Sequence, residues 1–130
     1  MPAIDNLLRA FERGDLESMD AVTTDDFDLR IEHYRGDDVD VSWQRCLGRA
    51  EFHAVLQRLA SEVFEGGTRI LSLDTQELGN GWTLSSFRQQ FLYPVRNREV
   101  IGQTWILAHE SDGRVDYFRE IATPVENVLA

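Results

Sequence analysis

The sequence predicts an α+β domain in which three helices precede a meander of long antiparallel strands. Two observations carry this prediction. Apolar residues recur at helical spacing in three stretches of the first half, and the second half alternates with period two between glycine-containing turns. The 130 residues suit a single domain, residues 1–130, whose core is large enough to need no disulfide or metal.

The three helices are predicted from apolar stripes and from residues that begin or end a helix. Gly14 ends the first helix, Asp15 is the N-cap of the second, and Gly48 precedes the third. The helices are expected over residues 4–11, 16–22 and 49–64. Their apolar stripes are Ile4-Leu7-Leu8-Phe11, Leu16-Met19-Val22 and Phe52-Val55-Leu56-Leu59-Val63.

The strands are predicted from alternation and from hairpin turns. Gly79-Asn80-Gly81 and Asp112-Gly113 are hairpin signals, since both need backbone conformations that glycine, asparagine and aspartate tolerate. Thr23 to Asp26 break the pattern before the first strand, and the tail after Pro124 is expected to be loosely held. Strands are expected over residues 27–34, 68–78, 82–93, 99–109 and 114–123, with a brief one within 39–45 after an acidic loop.

Composition excludes several classes of function. A net charge of −10 argues against nucleic acid and anionic membranes, and no apolar run is long enough to span a bilayer. All 13 cationic residues are arginine, so lysine Schiff-base chemistry is excluded. The N-terminus has no secretory pattern, and one cysteine, Cys46, fits a reducing compartment, so a cytoplasmic location is expected. Cys46 has no paired base in sequence, which favours a structural thiol over a catalytic one.

Several short strings resemble the nuclear transport factor 2-like superfamily, which includes ketosteroid isomerases, limonene epoxide hydrolases, scytalone dehydratases and SnoaL-like polyketide cyclases. The resemblance implies a curved antiparallel sheet wrapped around the three helices to form a conical pocket, a cystatin-like α+β barrel, commonly in a homodimer. The strings are Gly14-Asp15-Leu16-Glu17-Ser18-Met19, Asp25-Asp26-Phe27, Leu47-Gly48-Arg49-Ala50-Glu51-Phe52 and Val115-Asp116-Tyr117-Phe118-Arg119-Glu120.

The resemblance also argues against one activity. Alignment on Gly14-Asp15 puts Leu7 where ketosteroid isomerases have an oxyanion-stabilising tyrosine, and Ile31 where they have the aspartate base. Neither side chain can move a proton, so this chemistry is not expected. Epoxide hydrolases carry an Arg-x-Asp trio where this chain has Arg88-Gln89-Gln90, and Glu120 stands where their last aspartate is expected. Gln90 keeps a hydrogen bond but not the charge of that aspartate, so the hydrolase hypothesis is weakened but is not excluded.

Alternation along the strands suggests a polar constellation within an apolar cavity. If the strand faces that carry Glu120, His33 and Arg88 all point inward, these three residues are the candidate catalytic residues. Glu120 is the candidate general base, beside Arg88, and His33 is the alternative proton carrier because imidazole titrates near neutral pH. The residues expected to line the pocket are Gln90, Trp105, Phe118, Ile31, Leu7 and Phe52.

Each of these assignments has a structural alternative. Glu120 and Arg88 could form a structural ion pair across strands, and His33 could be a hydrogen-bonded core residue. His53 and His109 are expected at the surface, and the three tryptophans in the core or a dimer surface. The acidic group Glu32, Asp37, Asp38 and Asp40 lacks the spacing of a calcium loop and is expected to be a solvated loop.

Two hypotheses remain. The first is a cofactor-free acid/base enzyme acting on a small, mostly apolar molecule as an isomerase, cyclase, dehydratase or hydrolase. The second is a non-catalytic ligand-binding or dimerisation module of the same fold, favoured by Leu7 and Ile31. A homodimer through the second face of the sheet is expected in either case, because that face is predicted to carry Phe87, Phe91, Tyr93, Tyr117 and Ile121.

Overall fold

The structure, a computed structural model, describes residues 1–34 and 43–128, with all side chains in these ranges except those of residues 43 and 44. Its helices are α1 (Ala3–Arg13), α2 (Leu16–Ala21) and α3 (Arg49–Arg58), and α3 continues as one π-helical turn, Leu59–Val63. Its strands are β1 (Thr23–His33), β2 (Trp43–Leu47), β3 (Thr68–Gly79), β4 (Trp82–Tyr93), β5 (Arg98–Ser111), β6 (Arg114–Ala122) and β7 (Glu126–Asn127).

The strands form one curved, open, mixed sheet, and this confirms the predicted α+β fold class. The strand order is β2-β1-β6-β5-β4-β3, and β7 pairs with β5. Neighbouring strands are antiparallel except β1 and β6, which are parallel. A parallel pair needs a long connection, and the helices and the other strands between β1 and β6 in sequence provide it. The parallel pair thus places β1, from the N-terminal part of the chain, beside β6, the last long strand.

The helices cover one face of this sheet and enclose the core with it. Phe27, Ile106 and Val115 are fully buried there, and the rings of Phe27 and Phe52 meet edge to face with centroids 4.9 Å apart. Polar side chains also fasten α1 to β3. Glu12 Oε2 accepts a hydrogen bond from the backbone N–H of Ile70 at 2.6 Å. These contacts hold the helices against the sheet and set the width of the space between them.

Most predicted elements are present, and their boundaries differ most at β1, in the tail and at the third helix. β1 begins at Thr23 and not near Phe27, because the Thr23 backbone already pairs with Val115 before the register shifts between Thr23 and Asp28. The described part of the tail is not loose, since Glu126 and Asn127 form β7 against β5. The α-helical part of the third helix ends at Arg58. The acidic loop over 36–40, with Asp37, Asp38 and Asp40, lies outside the described residues.

The predicted facing of β4 and β5 is wrong. On β4 the odd-numbered residues from 83 to 93 are buried, and the even-numbered ones point outward. On β5 the residues at 104, 106 and 108 are buried, and Trp105 and Leu107 are exposed. Phe87, Phe91 and Tyr93 therefore lie inside the fold and do not contribute to a dimer surface. The outward face carries a different apolar set: Trp82, Leu84, Leu92, Trp105, Leu107 and Ile121.

Candidate functional site

A pocket lies between the helices and the concave face of the sheet, and it encloses about 120 Å³. The helices and the segment that follows α3 give it an entirely apolar wall. That wall consists of Leu7, Leu8, Phe11, Met19, Phe52, Val55, Leu56, Leu59, Val63 and Phe64. Among the described residues, polar groups enter the pocket only from the strands and from the residues just after β6. The two walls are therefore chemically different, and any polar group of a ligand must face the sheet.

The polar groups of the sheet wall come from four strands and the end of the last long one. They are His33 on β1, Gln89 and Tyr93 on β4, Thr104 on β5, Glu120 on β6 and Thr123 just beyond it. Between them lie apolar side chains of the same strands, among them Ile31 and Phe118. This composition, a mostly apolar cavity with a few convergent polar groups, is typical of a small-molecule site.

Glu120 is the carboxylate of this pocket. Its strand neighbours are Ile31 on β1 and Ile106 on β5, so the side chain is flanked by two isoleucines. Burial among these groups raises the pKa of Glu120 from 4.5 to about 7, because a charged carboxylate is poorly solvated there. The Thr104 hydroxyl opposes this rise in pKa. Glu120 thus exists in both protonation states near neutral pH.

Two buried polar atoms of the sheet wall have no hydrogen-bond partner among the described residues. They are Nδ1 of His33 and Oγ1 of Thr104. The Thr104 hydroxyl is close enough to Glu120 to lower its pKa, but not close and aligned enough to form a hydrogen bond with it. An unpartnered buried polar atom costs about 1–3 kcal/mol, so each of these atoms would gain from a ligand that supplied a partner.

Gln89 and Tyr93 extend the polar wall along β4. Oε1 of Gln89 accepts a hydrogen bond from the Thr68 hydroxyl at 2.7 Å, which fixes the orientation of its amide. The Tyr93 ring is buried and meets Phe91 edge to face, with the ring centroids 5.9 Å apart. Both side chains are held by their neighbours and give this end of the pocket a defined shape.

The structure brings six of the predicted site residues into the pocket and leaves three outside. Those that line it are Glu120, His33, Phe118, Ile31, Leu7 and Phe52. Arg88 is exposed on the outer face of β4, so it forms neither the predicted site nor the alternative ion pair with Glu120. Gln90 points outward as well, where its Oε1 accepts a hydrogen bond from Arg69 at 3.1 Å. Trp105 lies on the outer face of β5. The catalytic roles of Glu120 and His33 stay predictions.

Thr104, Gln89, Tyr93, Thr123 and Ala122 were not among the predicted site residues. A signal for them exists in β5, where small inward residues, Gly102 and Thr104, alternate with large outward ones. On the concave face of a curved sheet, small side chains mark the place where the wall does not fill the interior. The alternation of size along β5 thus locates the pocket better than the alternation of polarity.

The two other described histidines, His53 and His109, make polar contacts outside the pocket. His53 Nε2 lies 2.9 Å from Asp20 Oδ1, which also pairs with Arg49 at 2.9 Å. His109 lies on the outer face, and its Nδ1 is 2.8 Å from Asp116 Oδ1. Within the described residues no three His, Cys, Asp or Glu side chains cluster as metal ligands would. Over the same part of the chain, no helix has the length and apolarity needed to cross a membrane.

Cys46 is buried in the core, outside the pocket. Desolvation raises the pKa of its thiol to about 11. The thiol is therefore protonated at neutral pH, and it has no access to a pocket ligand.

Comparison with known proteins places the fold. No protein-family model matches the chain, and no curated protein matches it. Among solved structures, Bal32a from a soil-derived mobile gene cassette gives a TM-score of 0.72 at 16% identity, covering 92% of this chain and 86% of its own. A proposed polyketide cyclase from Xanthomonas campestris pv. campestris gives 0.71 at 16% identity, with coverages of 92% and 86%.

A nuclear transport factor 2-like protein from Burkholderia xenovorans gives a TM-score of 0.69 at 20% identity, with coverages of 92% and 86%. At such identities the likeness establishes the fold alone. The chain has the fold of the nuclear transport factor 2-like superfamily, as the short strings of its sequence predict.

Proposed function

We propose that the pocket binds a small, mostly apolar molecule and that Glu120 transfers a proton to or from it, without a cofactor. The observation that carries the proposal is a carboxyl group in an apolar pocket whose pKa is about 7. A general acid or base is most effective when its pKa is near the working pH, since both protonation states are then available. The reaction class is isomerisation, cyclisation, dehydration or hydrolysis.

His33 is proposed as the second group that handles a proton. It lines the pocket on β1, the strand next to Glu120, and its Nδ1 has no partner among the described residues. An imidazole can donate from one nitrogen and accept at the other, so it can return a proton that a carboxylate removes. His33 and Glu120 lie on neighbouring strands but at different positions along them, so the two side chains can contact different atoms of one ligand.

The size of the pocket limits the ligand. The enclosed volume of about 120 Å³ is below the roughly 300–1,000 Å³ of sites that take drug-sized molecules. An apolar cavity of about 150 Å³ takes a molecule the size of benzene. The proposed substrate is therefore of that size, or it leaves part of its length in the mouth of the pocket.

The proposal is tested by ligand identification followed by one substitution. Small molecules that co-purify are identified by mass spectrometry, and a panel of small neutral compounds is screened by thermal shift. Turnover of any compound that binds is then measured for the wild type and for Glu120→Gln. We expect Glu120→Gln to lower kcat by about a hundredfold or more while the compound still binds.

The control is Glu99→Gln, which changes an exposed carboxyl on β5 in the same way and is expected to leave kcat unchanged. If Glu120→Gln retains full turnover, proton transfer by Glu120 is wrong. If all compounds bind and none is turned over by the wild type, the second hypothesis, a non-catalytic binding module, replaces the first.

We further propose that two copies of the chain associate through the outward face of the sheet, as a homodimer. The apolar residues of that face lie on neighbouring strands, where Leu84 pairs with Leu107 and Trp105 pairs with Ile121. Trp105 is 44% exposed and Ile121 is 48% exposed. Contiguous apolar patches of this kind mark interaction surfaces in proteins.

We also propose a cytoplasmic location, because the chain's one cysteine is buried and forms no disulfide.

A further inference from the structure

The two unpartnered polar atoms of the sheet wall lie on either side of one small residue, Ala122. In the parallel pair of strands His33 is opposite Ala122, and in the antiparallel pair Thr104 is opposite the same residue. His33, Ala122 and Thr104 therefore form a row across β1, β6 and β5, which we call the alanine row. Its middle position carries only a methyl group, so the space above it is left to the pocket that all three residues line.

The alanine row lies one inward-facing position along the sheet from Glu120. Adjacent strands are about 4.8 Å apart, so the backbones of His33 and Thr104 are about 10 Å apart with Ala122 between them. Glu120 precedes Ala122 by two residues on β6 and points to the same side. The sheet wall thus presents the Glu120 carboxyl and, one inward-facing position further along β6, the two polar edges of the alanine row.

We propose that the alanine row binds an oxygen atom of the ligand, and that a second oxygen of the same ligand meets Glu120. The ligand class is a small ring that carries two hydroxyl or carbonyl oxygens on one edge and is apolar elsewhere. This inference rests on the proposed function, because it assumes that a small molecule occupies the pocket. It adds that the ligand must carry two oxygen atoms, one at the alanine row and one at Glu120.

Burial and charge support this class of ligand. Thr104 is 5% exposed and Ala122 is 8% exposed, so the oxygen bound there is shielded from bulk water. The described residues of the opposite, helical wall are all apolar and offer no side-chain partner for a third oxygen. Among the described residues no arginine lines the pocket, so no guanidinium there would pair with an anionic group, and the ligand of this proposal is neutral.

The test uses three rings of similar size that differ in the number of hydroxyl groups: benzene, phenol and resorcinol. Their dissociation constants for the full chain are measured by NMR titration at pH 6.0. Each neutral hydrogen bond adds about 0.5–1.5 kcal/mol, so we expect resorcinol to bind about threefold to tenfold more tightly than phenol. Thr104→Val should remove most of this ratio and leave the affinity for benzene unchanged, because valine keeps the volume without the hydroxyl.

Two further variants make the result specific. Thr83→Val is the matched control, since Thr83 is buried and inward-facing on β4 but does not line the pocket, and the ratio should persist. His33→Phe changes the other edge of the alanine row and should lower the ratio as well, and it replaces Thr104→Val if that variant does not fold. Thr104→Ser, which restores a hydroxyl, should restore the ratio.

The outcomes separate this inference from the proposed function. If benzene binds and the second hydroxyl adds nothing in the wild type, the inference is overturned and the apolar pocket stands. An unchanged ratio in both Thr104→Val and His33→Phe also overturns it. If no ring binds, the inference and the proposed function both fail.

Discussion

At the scale of single residues, Glu120 has the clearest energetic consequence. Its folded-state pKa of about 7 lies above its ordinary value of 4.5, so the folded protein holds this proton over a pH range in which the unfolded chain has released it. The contribution of Glu120 to stability is therefore complete below pH 4.5 and is lost as the pH rises towards 7. A buried carboxyl group of this kind lowers the free energy of unfolding at neutral and higher pH, which is more typical of a functional group than of a structural one.

Glu120→Gln should therefore stabilise the protein at high pH. At about 1.4 kcal/mol per pKa unit, the variant should gain up to about 3 kcal/mol in free energy of unfolding above pH 7, and nothing below pH 4.5. The measurement is urea unfolding of both proteins from pH 4 to pH 8.5. A difference between the two proteins that stays constant across this range would show that Glu120 is not desolvated.

Cys46 is predicted to be chemically inert in the folded protein. Raising the pKa of the thiol from 9.0 to about 11 leaves about a hundredfold less thiolate at pH 8, and burial blocks the reagent as well. A disulfide reagent that absorbs on reaction should label the folded chain at least about a hundredfold more slowly than the urea-unfolded chain. Equal rates would show that the β2 edge opens readily.

At the scale of elements, the sequence determines the helices and hairpins well and the facing of two strands poorly. β4 is found over the residues that its turn and its alternation predict, Trp82 to Tyr93. Alternation cannot tell which face of β4 is inside, because one face carries three aromatic residues and the other carries tryptophan and leucine. The facing depends on the register of β4 with its neighbours β3 and β5, and only the folded sheet sets that register.

The same ambiguity explains which part of the site the sequence predicts. Leu7, Phe52 and Ile31 belong to elements with one clear apolar face, so their inward direction follows from periodicity. Glu120 and Phe118 share an unambiguous face on β6. The polarity pattern gives no such signal for Thr104, since a threonine between a glutamine and a tryptophan is equally suited to either face; only the alternation of side-chain size along β5 marks it. Long-range pairing thus decides the polar half of the pocket.

The turn between β3 and β4 provides a test at the same scale. Asn80 and Gly81 have positive φ values of 55° and 85°, the conformation of a two-residue hairpin turn. A Cβ at Gly81 would lie 2.6 Å from the backbone oxygen of Glu110, whereas a Cβ at Gly113 would meet nothing within 4 Å. Both glycines have positive φ, so only the first substitution combines backbone strain with a collision.

Gly81→Ala should therefore lower the free energy of unfolding by about 2–4 kcal/mol, and Gly113→Ala by only about 1 kcal/mol. Thermal and urea unfolding of the two variants give the comparison. Equal losses would mean that the β3–β4 turn can move away from Glu110 at no cost, and that the hydrogen bond from Glu110 N to Gly81 O, 2.9 Å long, is dispensable.

At the scale of the whole molecule, the sheet has two uses. Its concave face and the helices enclose the pocket, and its convex face leaves large apolar side chains exposed on adjacent strands. Trp82 on that face packs against the tilted ring of His109 and meets Tyr117 edge to face, at ring-centroid distances of 4.8 and 5.5 Å. The exposed rings are thus held in place by their neighbours and form a defined surface, as residues at an interface do.

The proposed homodimer is tested by placing a charge in the middle of this surface. Leu107→Arg introduces a cation on the central strand β5, and burying it against a second copy would cost about 2 kcal/mol or more, a weakening of about 30-fold or more. Leu16→Arg makes the same change at an exposed leucine of α2, on the helical side of the sheet, and is the control. Sedimentation equilibrium at micromolar concentration should show a dimer for the wild type and for Leu16→Arg, and a monomer for Leu107→Arg with unchanged circular dichroism. A wild-type chain that sediments as a monomer would contradict the proposal, as would a dimer that Leu107→Arg leaves intact.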